Sequence, residues 1–324
     1  AMPRKEPPFP TENVKLPAWG DGYILSATVV RPKKEPASHA VVIAPATAVP
    51  RIYYTHFMWF LASQGVGGVT FDWRGSHGSL HGRDPTQSTA TLTQWATMDL
   101  PAAIELARKT FPEAVLVHVG HSVGGHVMPL AENIGEISHA LTVGTQNAYY
   151  PLTPFRYRYG YLWNVMVPAA TEMFGYYPGG KLRIIGEVPT SIMLEWKSWA
   201  THPLYARGRH LAEGEDWDTV SDRFMRFKKP VLAISLDDDE FATEKGVHLF
   251  HEMLGSDVVH WHISHSSLPG MPQIKHVGFF SPKHAKTLWP VALQWIKEKK
   301  ADHDHLHRPD YVPEFDQDAP RAKL

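Results

Sequence analysis

Ser122 lies in the pentapeptide Gly120-His121-Ser122-Val123-Gly124, after the apolar residues 114–119 and before residues 125–131, which can be helical. Glycines two places before and two after a serine, between a buried strand and a helix, have the spacing of a nucleophile elbow. Such a turn strains the serine backbone and crowds its neighbours, and small residues relieve the crowding. The hydroxyl then stands clear at the strand end, above a helix N-terminus that favours negative charge. That chemistry is nucleophilic attack on a carbonyl. A hydroxyl is a poor nucleophile at neutral pH, so it needs a base to take its proton and a carboxylate to orient the base. Alone, the pentapeptide is also compatible with an ordinary glycine-rich turn.

The partners are expected at other strand ends, in the chain order Ser, acid, His. Asp237, Asp238 and Asp239 directly follow the buried run VLAISL. Asp239 is favoured, because two or three residues past a strand the chain has turned and a side chain can face the nucleophile strand. With 20 histidines in the chain, position has to choose among them. His276 follows the last strand and precedes the last helix, in a loop after Gly270 and Pro272. His265 is the second choice. His260 and His262 fall within a strand and read as structural, while His303, His305 and His307 read as a solvated tail rather than metal ligands.

An oxyanion needs main-chain N–H donors. One is expected at Val123, directly after the serine. The other is expected in the turn after HAVVIAPA, at Thr47, with Ala46 and Ala48 as alternatives.

The elements that must position these groups are short. Residues 14–16 and 23–30 read as antiparallel strands joined around Gly20-Asp21-Gly22. HAVVIAPA, residues 66–71, 114–119, 137–145, VLAISL and 258–263 read as buried strands. Helical patterns fall at 52–64, 88–110 (with Pro101 interrupting or restarting it), 243–254 and 282–299. Strands alternating with helices imply an α/β fold with a mainly parallel sheet, whose ligand sites lie at the carboxyl ends of its strands.

The alternation stops at Tyr149. Residues 149–221 carry many aromatics, including Tyr149, Tyr150, Tyr159, Trp163, Tyr177, Trp196 and Trp199, and show no strand run. This stretch reads as an inserted helical lid over the strand ends, leaving 1–148 and 222–324 as the sheet domain. Most of the aromatics should form the lid's own core, and some should line an apolar pocket. Arg156, Arg158, Lys181, Arg183, Arg207 and Arg209 lie in the same insertion and read mainly as surface charge, with a substrate carboxylate as the alternative role.

Net charge is −1 with no long basic block, so neither nucleic acid nor an anionic membrane is an expected partner. Cysteine is absent, which excludes disulfides and a thiol nucleophile. No apolar run approaches the ~18 residues of a membrane span. The polar, Pro-rich start does not resemble a signal peptide, Met2 reads as the native start, and a cytoplasmic location is the expectation.

In these motifs the chain resembles the α/β-hydrolases. Gly120-His121-Ser122-Val123-Gly124 resembles their nucleophile elbow. Asp72-Trp73-Arg74-Gly75, continuing to Gly78 and Ser79, resembles a D-x-R-G-x-G-x-S loop with one extra residue between the glycines. PVLAISLDDDEFAT resembles the acid-bearing strand end, where the family position falls on Asp239. His276-Val277-Gly278-Phe279-Phe280 resembles the histidine motif. IAPATAVPRIYY and FGYYPGG, with the Trp196/Trp199 segment, are similar to a poorly characterised group related to serine aminopeptidase-like and lysophospholipase-like hydrolases. One departure is Pro45-Ala46, where the common turn has His-Gly.

The resemblance implies an α/β-hydrolase fold with an inserted lid, a Ser122–His276–Asp239 triad, and no cofactor or metal. The first expectation is a serine hydrolase acting on a carboxylic ester or related acyl compound, a small molecule that the aromatic insertion suggests is medium-sized and partly apolar or aromatic. An acyltransferase or lactone-forming or lactone-opening enzyme would use the same triad. A non-catalytic small-molecule receptor on this scaffold is the reading outside enzymology.

Overall fold

β-Branched and apolar residues with no helical spacing build the centre of the molecule. In the computed structural model, which describes residues 6–182, 186–208, 217–264 and 272–301, they form β3 (His39–Ala44), β4 (Val66–Phe71), β5 (Val115–His121), β6 (His139–Val143), β9 (Val231–Leu236) and β10 (Val258–Ile263). Two further strands precede them, β1 (Thr11–Pro17) and β2 (Ile24–Val30). All belong to one sheet of order β1-β2-β4-β3-β5-β6-β9-β10. The strands from β4 to β10 run parallel, and β2 joins β4 antiparallel. The chain thus has the mainly parallel α/β-hydrolase sheet that the sequence implies.

Alternate side chains of each strand enter opposite layers. Ala40, Val42 and Ala44 of β3 join the core that includes Leu100, Ile104, Phe224 and Phe250. Val41 and Ile43 join the opposite core, with Phe57, Trp289 and Trp295. Helices α1 (Thr55–Ser63) and α12 (Trp289–Glu298) therefore cover one face, and α3 (Leu100–Thr110), α9 (Trp217–Arg226) and α10 (Glu244–His251) the other.

Helix boundaries differ from expectation where local chemistry intervenes. The helix expected over 88–110 starts at α2 (Leu92–Gln94), where Thr91 and Gln94 form a reciprocal capping box. It passes through a π turn (Trp95–Asp99) into α3. Pro101 follows that π turn near the start of α3, and the helix continues through it. The terminal helix begins at Trp289, after a separate 3-10 turn over Pro282–His284.

Between β6 and β9 the chain forms α5 (Arg156–Tyr161), a π turn (Leu162–Met166), α6 (Val167–Phe174), β7 (Tyr176–Pro178), α7 (Gly179–Leu182), β8 (Glu187–Pro189) and α8 (Thr190–Ala200). β7 and β8 pair antiparallel. The sequence reading expected no strand here, and three residues per strand are too few for alternation to show. Trp163, Tyr177, Trp199 and Tyr205 are buried, with Trp163 against Trp196 and Trp199 against Tyr205. These aromatics pack within the inserted segment and onto the core. Glu195 of α8 accepts hydrogen bonds from the N–H groups of Leu92 and Thr93 and from the Thr93 hydroxyl, which ties the insertion to the start of α2.

Candidate active site

β3 connects to β4 on one side while its other neighbour is β5. The strand order reverses here, and the carboxyl ends of β3 and β5 flank the crevice where such sheets take ligands. Thr47 follows β3 and Ser122 follows β5.

Ser122 has φ 52° and ψ −114°, between β5 and the single turn α4 (Val123–His126). A non-glycine residue in such a conformation costs about 1–3 kcal/mol and persists only where its surroundings enforce it. The Ser122 N–H donates to Val143 O at 2.9 Å, and its carbonyl accepts from Gly125 N–H and from the Thr145 hydroxyl, each at 3.0 Å. The glycines have a steric basis. A Cβ on Gly124 would collide with the Ala44 carbonyl, and one on Gly120 would sit 2.7 Å from Gly125 N.

The three acids past β9 point three ways. Asp237 accepts the Ser264 hydroxyl. Asp238 accepts the N–H groups of Ile274 (2.7 Å) and Lys275 (2.9 Å), at the entry to α11 (Lys275–Gly278). Asp239, 4% exposed, lies with Oδ2 2.7 Å from His276 Nδ1, while its Oδ1 accepts Phe241 and Ala242 N–H. His276 sits in α11, not in an open loop as expected, because the Asp238 carboxylate gathers the N–H groups at that turn. A carboxylate only accepts, so His276 Nδ1 carries a proton, and in the neutral imidazole Nε2 is the nitrogen with the free lone pair.

Gly144, one residue past β6 with φ 62°, joins these groups. A Cβ there would lie 3.1 Å from His276 Cε1 and 3.4 Å from Asp239 Oδ2. Ser122 is bonded to the residue before it. The ends of β5, β6 and β9 thus bring Ser122, Gly144 and the His276–Asp239 pair to one place.

In the turn after β3, Pro45 O accepts the Trp73 indole N–H (2.8 Å), Ala46 N–H donates to the Tyr54 hydroxyl (3.0 Å), and Ala46 O accepts Val49 N–H (3.2 Å). This removes Ala46 as a free donor. Among the described residues, the N–H groups of Thr47, Ala48 and Val123 have no partner. Ala48 (φ 57°) beside Thr47, Ser122 at the elbow and Lys275 (φ 52°) before His276 have positive φ, as do His77, His81, Tyr205 and Lys299 elsewhere in the described residues. Sites that do chemistry concentrate such strain.

The remaining sequence candidates have other partners or lie outside the described residues. His260 stacks on His248 and His262 bonds Ser235, both away from Ser122. His265, the tail histidines, Arg183 and Arg209 lie outside the described residues, as does the Lys181 side chain. Arg156 stacks on exposed Tyr157, Arg158 pairs with exposed Glu240, and Arg207 bonds Ser221. The Asp72–Arg74 loop is structural. Asp72 pairs with Arg51, and Arg74 with Asp21 and Asp99. Sequence reasoning passed over Gly144, Tyr54, His121 and the capping role of Asp238. Only Gly144, a glycine just past a buried strand, left a signal.

No protein-family model and no curated protein matches the chain. Solved structures do. A soluble variant of monoglyceride lipase from Saccharomyces cerevisiae aligns over 93% of this chain and 98% of its own, at 15% identity and TM-score 0.61. A thermostable carboxyl esterase from Bacillus coagulans aligns over 79% and 90%, at 12% identity and TM-score 0.55. An acylaminoacyl peptidase from Pyrococcus horikoshii aligns over 95% of this chain but 43% of its own, at 13% identity and TM-score 0.56. The fold they share with this chain is the α/β-hydrolase fold. Among the described residues, no helix is long and apolar enough to cross a membrane.

Proposed function

We propose that the protein is a serine hydrolase that cleaves a carboxylic ester or related acyl compound through Ser122, His276 and Asp239. The observation that carries this is the 2.7 Å contact between Asp239 Oδ2 and His276 Nδ1, together with the positive φ of Ser122 at the end of β5. With Nδ1–H held by Asp239, the imidazole offers Nε2 as a base. Ser122 Oγ attacks the acyl carbon as its proton passes to Nε2. The carbonyl oxygen becomes an anion against the N–H groups of Thr47 and Val123. His276 then protonates the leaving alkoxide, and the acyl-enzyme forms. In the second half, water gives its proton to Nε2 and attacks the ester carbon, releasing the acid and restoring Ser122. Asp239 stabilises the imidazolium in both halves. The esterase and lipase neighbours agree with this chemistry in kind. Phe241 against His276, and Tyr159 bonded to Glu240 O, favour a partly apolar or aromatic acyl compound.

The test is labelling by a fluorophosphonate, read by intact mass and peptide mapping. One adduct on Ser122, absent from Ser122→Ala and slowed in His276→Ala and Asp239→Asn, is the expected result. A folded protein that takes no adduct and hydrolyses no ester would overturn the reading and favour the receptor.

A further inference from the structure

Two buried polar side chains have no part in the chemistry above. Tyr54 is fully buried, just before α1, and His121 is fully buried at the end of β5. They form one chain of hydrogen bonds. Ala46 N lies 3.0 Å from Tyr54 Oη, Tyr54 Oη lies 2.8 Å from His121 Nδ1, and His121 Nε2 lies 2.8 Å from the His276 carbonyl oxygen.

The proton positions follow from donor and acceptor rules. A carbonyl only accepts, so His121 Nε2 carries the hydrogen. A neutral imidazole has one N–H, so Nδ1 accepts and the Tyr54 hydroxyl donates to it. The Tyr54 oxygen in turn accepts Ala46 N–H. Burial pushes the His121 imidazole down to about 3, which holds it in this neutral form. The chain thus joins the turn after β3, the residue before Ser122, and the main chain of His276. Next door, the Tyr53 hydroxyl donates to Val277 O at 2.7 Å, a second grip on α11 from the same segment.

The turn is held in a way that orients the Thr47 donor. The peptide between Pro45 and Ala46 has its carbonyl on Trp73 and its N–H on Tyr54. The next peptide has its carbonyl on Val49 N–H, and a trans peptide directs its N–H the opposite way, so Thr47 N–H points away from that bond. Resting on the serine-hydrolase reading, we propose that Tyr54 is a positioning residue whose single hydroxyl sets both Thr47 N–H and, through His121, the main chain of His276. The oxyanion donor and the base lie on opposite ends of this chain, so one displaced hydroxyl moves both relative to the acyl carbon.

The ring of Tyr54 packs edge-on against Phe280 and Tyr53, and Tyr54→Phe keeps that packing while removing the hydroxyl. Misplacing reacting groups by about 1 Å costs roughly 100-fold in rate. Wild type, Tyr54→Phe, His121→Leu and His121→Gln would be compared with p-nitrophenyl butyrate as substrate and phenylboronic acid as a tetrahedral mimic. The expected result for Tyr54→Phe is a kcat roughly 10- to 100-fold lower with KM within about twofold, and boronate inhibition weakened in parallel. A purely packing role would not weaken the boronate in step with kcat. His121→Gln, whose amide can both donate to His276 O and accept from Tyr54, should retain more kcat than His121→Leu. That pair carries the test if Tyr54→Phe does not fold. An active wild type matched in kcat by folded Tyr54→Phe, or equal losses in both His121 variants, overturns the positioning role alone. A wild type that neither hydrolyses the ester nor takes a fluorophosphonate on Ser122 overturns the serine-hydrolase reading and this role with it.

Discussion

Asp239 gives one carboxylate oxygen to His276 Nδ1 at 2.7 Å and the other to the N–H groups of Phe241 and Ala242. An amide at 239 can keep one of these arrangements but not both. Asp239→Asn is expected to fold and to lose kcat on the order of 10⁴-fold, because the imidazole takes the wrong tautomer. Steady-state kinetics with circular dichroism checks this. A kcat within a few-fold of wild type would remove Asp239 from the proposed triad.

Asp238 acts on the same helix through the backbone. Asp238→Ala strands the N–H groups of Ile274 and Lys275, and hydrogen bonds to a charged acceptor contribute about 1.5–3 kcal/mol. Lower stability of about that size, with a kcat loss well short of that in Asp239→Asn, is expected from denaturant melts and kinetics run together.

Gly144→Ala separates strain from contact. Gly144 and Gly22 have φ 62° and 66°, but only Gly144 faces the site; around a Cβ on Gly22 there is nothing within 4 Å. Alanine in the left-handed region costs about 1–2 kcal/mol at either position. Gly144→Ala should also depress kcat by pressing on His276, whereas Gly22→Ala should leave kcat unchanged. Equal kcat in the two variants would mean that Gly144 merely turns the chain.

Acid should unfold the protein steeply. Burial pushes His118 down to about 4, and His121, His126 and His251 to about 3, from an ordinary value near 6.5. A depressed folded-state value means that the unfolded chain binds more protons below pH 6.5. The stability from keeping each ring neutral is therefore complete above about pH 6.5 and is lost as pH falls toward 3–4, by about 1.4 kcal/mol per pH unit per histidine. Urea midpoints should drop sharply between pH 6.5 and 5, with net proton uptake on unfolding in calorimetry. A flat midpoint over that range would contradict the neutral assignments.

Glu195 fastens α8, in the segment inserted between β6 and β9, to the start of α2 through Leu92 and Thr93. Glu195→Ala leaves those N–H groups without their acceptor, at about 1–3 kcal/mol. Limited trypsin digestion should cut the segment between β6 and β9 faster than in wild type, with the sheet domain intact at early times. Unchanged digestion would place the anchorage of the inserted segment elsewhere.

The sequence alone determined the sheet and the position of the candidate nucleophile. Buried strands such as HAVVIA and VLAISL announce themselves through composition, and the elbow through two glycines whose absence of Cβ is a steric requirement of the Gly124–Ala44 approach. Both signals are local, carried by neighbouring residues. Only the tertiary structure decided which of Asp237, Asp238 and Asp239 meets His276, because consecutive residues past β9 differ in direction, not in chemistry. It also decided that Ala46 N–H is taken and Thr47 N–H is left, since the Tyr54 hydroxyl that takes it stands on a different element. The His121 link to His276 O spans 155 residues, and no local pattern records a contact formed only when distant strand ends converge.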